Sequence, residues 1–105
     1  MLTPDLAELM SAVAGLPGVT LGKALHQPGL MADGKLFAFP YHGGLVLKLP
    51  AARIDALIAS HEAHRFERGQ GRPMREWIVL PAASRIDWPA LTREAYSFVS
   101  GRVAE

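Results

Sequence analysis

The sequence predicts a small α+β domain in which an antiparallel β-sheet packs against helices. Apolar residues recur at helical spacing near both ends of the chain and again after residue 50. Between these helical segments lies the strongest hairpin signal, Asp33-Gly34, flanked by apolar runs. Strands joined by tight turns pair antiparallel, because parallel strands need long crossover connections. A chain of 105 residues has room for one core, so we expect a single domain over 1–105.

The first half of the chain is predicted to form a helix and then three or four strands. Thr3-Pro4-Asp5 is a helix-start signal, since threonine caps free N–H groups and proline suits the first helical position. Leu6, Leu9 and Val13 follow at helical spacing. Strands are predicted over 19–25, 30–32, 35–41 and 45–49, with turns at 26–29, 33–34 and 42–44.

Alternation within the middle strands predicts which side chains share a face. Phe37, Phe39 and Tyr41 are two residues apart and are predicted to lie on one face of the sheet. The leucines of 45–49 alternate with Val46 in the next strand. We therefore expect one face of each strand to enter the core.

The second half is predicted to form a helix, a strand and a final helix. Pro50 opens the first of these helices, which is expected to run out between residues 60 and 64. A loop is predicted over 69–73 and a central strand over 76–80, because that strand is apolar without alternation. Asp87 is expected to cap the last helix, and Phe98 to lie in the same core as Trp77.

The composition excludes several classes of protein. There is no cysteine, which rules out disulfides, thiolate metal sites and cysteine nucleophiles. No apolar stretch reaches the ~20 residues that span a membrane, and no signal-peptide pattern opens the sequence, so a cytoplasmic location is expected. The net charge of +1 does not by itself imply a polyanionic partner.

Four stretches between Leu30 and Val99 resemble a known family in their order and spacing. They are Ala32–Ala38, Gly44–Pro50, Gly71–Trp77, and Asp87-Trp88 with Leu91, Tyr96 and Val99. Together they resemble the MmcQ/YjbR-like proteins and the related N-terminal domain of TfoX-type proteins. The stretch 24–29 differs from the Met-Phe-Gly-Gly of TfoX-type domains, which favours the MmcQ/YjbR side. The resemblance implies a compact α/β fold and a predicted DNA-binding role of the double-wing kind.

The sharpest chemical feature is a cluster of four arginines within eleven residues, interrupted by Phe66 and glycines. Arginine forks on a glycine-containing loop suit phosphate groups, because bidentate contacts need close approach of the backbone. The alternative is a solvated surface loop whose charges pair with neighbouring glutamates. Lys23, Lys35 and Lys48 extend the patch only if their strand faces point the same way. The candidate phosphate-binding residues are Arg65, Arg68, Arg72 and Arg75.

Other arrangements carry less chemistry. His61 and His64 would share one side of a helix, but no third metal ligand is close in sequence, so no metal and no cofactor is predicted. No spacing pairs two carboxylates, and no nucleophile motif is present, so we do not expect an enzyme. The aromatic side chains are either core residues or platforms on which bases stack.

Two functional hypotheses follow from the sequence. The first is a small binding module that takes nucleic acid weakly and without sequence specificity through the arginine cluster. The alternative is a protein-interaction module, or a homodimer, that uses an exposed sheet edge or apolar face.

Overall fold

The computed structural model describes residues 6–24, 27–41, 44–60, 63–68, 72–81 and 87–101. These residues form three helices and six strands. In chain order the elements are α1 (Leu6–Ala12), β1 (Val19–Ala24), β2 (Gln27–Ala32), β3 (Lys35–Tyr41), β4 (Gly44–Lys48), α2 (Ala51–Ser60), β5 (His64–Arg68), β6 (Arg72–Leu80) and α3 (Trp88–Ser100).

All six strands form one antiparallel sheet in the order β1-β2-β3-β4-β6-β5. One buried cluster joins side chains from all three helices to one face of the sheet. A second buried cluster contains only strand residues and lies on the opposite face. The predicted α+β class, an antiparallel sheet packed against helices, is confirmed.

The helices begin and end where local chemistry favours it. Asp87 caps α3 as predicted, because its carboxylate accepts a hydrogen bond from the Ala90 N–H at 3.2 Å. Gly101 ends the same helix in the left-handed conformation, with φ of 72°. Ile54 and Leu57 of α2 are buried, as their spacing predicts. The predicted start signal of α1, Thr3-Pro4-Asp5, lies outside the described residues.

The predicted alternation of the third strand is wrong at Phe37. Leu30 of β2 pairs with Ala38, whereas Met31, the next residue, pairs with Leu36. Phe37 is therefore an extra residue on β3, which is the definition of a β-bulge. A bulge shifts the two-residue alternation by one position, and sequence periodicity does not reveal it.

The bulge separates the aromatic residues of β3 between the two faces. Phe37 and Ala38 both belong to the cluster under the helices, where the Phe37 ring meets the Tyr96 ring edge-on at 6.0 Å. Phe39 and Tyr41 belong to the opposite face. The sheet thus presents aromatic side chains on both of its faces.

The loop predicted over 69–73 is shorter than expected. The helix α2 ends at Ser60, and residues 64–68 form the strand β5, which the sequence analysis missed. β6 begins at Arg72 rather than at residue 76, and residues 69–71 lie outside the described part of the chain. The pattern of 64–68 offers one apolar residue among four polar ones, so it carries no strand signal. Pairing with β6 makes it a strand.

Two other predicted turns are displaced. Pro28 and Gly29, predicted to lie in a turn, are inside β2 and pair with residues of β1. Gly44, also predicted in a turn, is the first residue of β4 and pairs with Tyr41. Residues 25–26 and 42–43, which connect these strands, lie outside the described residues.

The sequence predicts a single core, but the structure has two separate buried clusters. Trp77 packs against the second cluster, on the sheet face away from the helices, together with the buried Val79. Phe98 is only half-buried and lies at the margin of the first cluster. The centre of that cluster is Tyr96, which is fully buried. The aromatic residue that holds α3 in place is therefore two positions earlier than predicted.

The turn between β2 and β3 has the predicted conformation, and we expect Gly34→Val to lower the free energy of unfolding by about 1–3 kcal/mol. Asp33 and Gly34 have φ of 51° and 80°, both positive, as a type I′ hairpin turn requires. Beyond the two neighbouring residues, no atom lies within 4 Å of the position that a β-carbon would take at Gly34, so the cost is backbone strain and not a clash. Urea unfolding measures it. The control is Lys35→Val, which introduces the same valine side chain at the next exposed position. It should change the free energy of unfolding by less than about 0.5 kcal/mol.

Candidate functional site

The face of the sheet away from the helices carries an aromatic cluster, which we define as Phe39, Tyr41, Phe66 and Trp77. The Phe39 ring is central, with ring centroids 6.2 Å from Tyr41, 6.0 Å from Phe66 and 6.1 Å from Trp77. Phe39 is only 3% exposed, although the helices lie on the opposite face. The half-buried Tyr41 and Trp77 surround it, so the rings exclude water from their own centre.

A cation lies against one margin of the aromatic cluster. Lys48, the last residue of β4, is the direct cross-strand partner of Trp77 on β6. Its Nζ atom lies 5.6 Å from the centroid of the Trp77 ring, within the range of a cation–π interaction. Arg75 is exposed, precedes Trp77 by two residues in β6 and lines the same cleft.

These side chains line a cleft at the end of the sheet where β4 leads into α2. The cleft has a volume of about 500 Å³ and is lined by Lys48, Ala51, Arg75, Glu76 and Trp77. A backbone hydrogen bond from the Leu49 N–H to the Glu76 carbonyl, 3.0 Å long, joins its two walls. With two cations and one carboxylate around an indole ring, the cleft suits an anion attached to a flat ring.

Of the four arginines singled out from the sequence, Arg65 is paired within the protein. The Arg65 guanidinium donates to the Asp55 carboxylate at 2.6 Å and to the Ala51 carbonyl at 3.5 Å. Both acceptors belong to α2, so Arg65 fastens the β5 strand to the helix layer. Its charge is compensated within the protein.

Arg68 and Arg72 occupy directly opposite positions next to the turn of the β5–β6 hairpin. For these two residues the structure describes the backbone positions. Arg75 lies three residues further along β6, roughly 10 Å at the usual rise of a strand. Arg75 lines the cleft around Trp77.

Sequence reasoning did not connect Lys48 with Trp77 in one site. The sequence predicts the lysine as an extension of the basic patch and the tryptophan as a stacking platform or core residue. Their pairing is a matter of strand register between segments about thirty residues apart. A local pattern carries no register, although both residues lie in stretches that resemble the MmcQ/YjbR-like proteins.

A second groove, of about 640 Å³, lies between α2 and α3. Its main charged groups neutralise each other, because Arg53 donates to both carboxylate oxygens of Glu94 at 2.9 and 3.1 Å. The hydrogen bonds that Arg53 donates to the Glu94 carboxylate raise the pKa of Arg53 above its ordinary value. Arg93, also in this groove, donates to the Ala12 carbonyl at 3.3 Å and links α3 to α1. The charged side chains of this groove thus link the three helices to one another.

Metal-ligating side chains do not gather in the described part of the chain, where no three of His, Cys, Asp or Glu lie close enough to hold an ion. His64, predicted to share a helix face with His61, is instead the first residue of β5. His61 lies outside the described residues. None of the described helices is long and apolar enough to cross a membrane.

Comparison with known proteins adds no assignment to this geometry. No family model matches the chain, and no curated protein or solved structure is significantly similar to it. The resemblance to the MmcQ/YjbR-like and TfoX-type families, the single-domain organisation and the cytoplasmic location therefore stay predictions from the sequence.

Proposed function

We propose that this protein is a non-enzymatic module that binds single-stranded nucleic acid weakly and without sequence specificity. The binding surface is the cleft around Trp77, extended along β6 toward the β5–β6 hairpin. The observation that carries the proposal is the Trp77 ring held between aromatic neighbours and the cations Lys48 and Arg75. An aromatic ring beside positive charges is the combination that binds bases by stacking and phosphates by charge.

Single strands suit this surface better than duplexes. Stacking on a protein ring requires an unpaired base, which a duplex does not offer without disruption. Lys48 covers the Trp77 ring in the free protein, at 5.6 Å from its centroid. When a phosphate is present, the lysine ammonium gains a stronger partner, because the ring attracts a cation only through its quadrupole. Its movement to the phosphate then exposes the ring face to a base.

Affinity and specificity are both expected to be low. Lys48, Arg68, Arg72 and Arg75 supply at most four phosphate contacts, since Arg65 is paired with Asp55. The net charge is only +1, so long-range attraction adds little. A few phosphate contacts correspond to the non-specific range of about 10⁻⁴ to 10⁻⁶ M. The cleft offers a ring and charges without a set of base-reading donors and acceptors, so all sequences are expected to bind alike.

Arg75→Gln is expected to weaken binding equally for all sequences and to reduce the salt slope on single strands by about 0.7, the value for one lost phosphate contact. The measurement is fluorescence anisotropy of labelled oligonucleotides, single-stranded and duplex, across a salt series. Arg68→Gln with Arg72→Gln should reduce the slope by about a further 1.4 if both meet phosphates. The intrinsic fluorescence of Trp77, recorded in a Trp88→Phe background, should fall when a base stacks on the ring.

The matched control is Arg93→Gln, which removes the same charge from the helix layer, where Arg93 bonds the Ala12 carbonyl. It should leave the affinity and the salt slope unchanged. The proposal fails if the protein does not bind oligonucleotides at low salt. It also fails if Arg75→Gln and Arg93→Gln weaken binding alike, since the effect would then be one of net charge and not of the cleft.

A further inference from the structure

The two edges of the sheet differ in how well they are protected. β5 is one edge, and it carries a register irregularity between Arg65 and Glu67 together with four polar or charged residues among five. Irregular pairing and charge are the devices that keep an edge strand from adding a second chain. β5 is therefore a poor template for further pairing.

β1 is the other edge and carries fewer of these devices. It pairs with β2 in an unbroken register over all six of its residues, and no described strand pairs with its outer side. Its sequence, VTLGKA, contains one charged residue and no proline. Leu21 at its centre is 56% exposed, the highest value among the exposed large hydrophobic side chains of the described residues. A regular edge with an exposed leucine is a template for another strand.

We propose that the protein forms a homodimer in which the β1 strands of two copies pair antiparallel. This interface is separate from the nucleic-acid surface and does not depend on it. The two-fold axis passes between Leu21 of one copy and Leu21 of the second copy, so that each covers the other. The two sheets then form one continuous twelve-stranded sheet, the sum of six strands from each copy.

The properties of β1 favour a second copy of the same chain as the occupant. A two-fold interface needs a self-complementary surface, and an antiparallel strand pair is self-complementary in its backbone hydrogen bonds. With Leu21 on the axis, the position of Lys23 is paired with Val19 of the second copy and not with the second Lys23. Like charges directly opposite would oppose pairing. An edge of six residues is short, so we expect a reversible monomer–dimer equilibrium.

The test is sedimentation equilibrium from about 10 μM to about 1 mM, the range of weak complexes. The wild-type chain is expected to shift from monomer toward dimer with concentration. Leu21→Lys and Leu21→Glu should each raise the dissociation constant about tenfold or more, because each places like charges opposite one another across the axis. An equimolar mixture of the two variants should dimerise again, since opposite charges then face each other.

The control is Met10→Lys, which changes the other exposed large hydrophobic residue, on α1, and should leave the equilibrium unchanged. Circular dichroism checks that all variants keep the fold, as expected for substitutions at exposed positions. A wild-type chain that stays monomeric throughout overturns the proposal. So does a dimer that tolerates Leu21→Lys, or a mixture of the two charged variants that fails to associate.

Discussion

Replacing Tyr96 with alanine is expected to lower the free energy of unfolding by about 3–5 kcal/mol, the range for emptying a buried aromatic site. Tyr96 is fully buried at the centre of the cluster under the helices, where its ring meets Phe37 edge-on at 6.0 Å. Its hydroxyl donates to the Pro17 carbonyl at 2.6 Å, which ties α3 to the segment between α1 and β1. The substitution removes both the packing and the tie. Urea unfolding followed by circular dichroism measures the loss.

Two further variants divide this effect. Tyr96→Phe keeps the ring and removes only the hydroxyl, so it should cost about 1 kcal/mol, the net value of one hydrogen bond. Phe98→Ala truncates the neighbouring aromatic residue, which is half-buried, and should cost about 1–2 kcal/mol. A loss at Phe98 equal to that at Tyr96 would contradict the placement of Tyr96 at the centre of the core.

Phe39→Ala should produce a loss of similar size, about 3–5 kcal/mol, on the opposite face of the sheet. The Phe39 ring contacts three other rings and is 3% exposed, so its removal leaves a cavity among Tyr41, Phe66 and Trp77. Because Trp77 loses a neighbour, its fluorescence should change in the folded state as well. Both signals are read from one urea titration.

The matched comparison is Tyr41→Ala, at the half-buried margin of the same aromatic cluster. It should cost clearly less than Phe39→Ala, since a half-exposed ring gives up less buried area. If Phe39→Ala lowered the free energy of unfolding by less than about 1 kcal/mol, the aromatic residues of this face would be surface residues and not a second core. The support that holds Trp77 in the cleft would then be lacking, and stacking on its ring would lose its structural basis.

The candidate site could be predicted from the sequence only in part. The arginines were found because they are close together along the chain, and Arg75 does line the cleft. Arg65 is equally close in sequence, yet its charge is compensated by Asp55 on a different element. Lys48 and Trp77 became one site through the register of β4 against β6. Closeness along the chain therefore identified a group of positive charges, but it did not show which of them line the cleft.

The sequence by itself determined the elements whose signals are local. Asp87 begins a helix because an N-cap acts within one turn, and Asp33-Gly34 forms a hairpin because its positive φ values are a property of those two residues. The antiparallel pairing of consecutive strands from β1 to β4 follows in the same way, since short connections permit no other pairing.

Only the tertiary structure decided the features that depend on partners distant in the chain. The bulge at Phe37 arises from pairing with β2, and it divides the aromatic residues of β3 between two faces. β5 has almost no apolar pattern and is a strand because β6 supplies its hydrogen bonds. Strand pairing and core packing are contacts between segments that are distant in the chain. A strand or a core position that depends on them therefore has no local sequence pattern. The cleft around Trp77 exists for that reason.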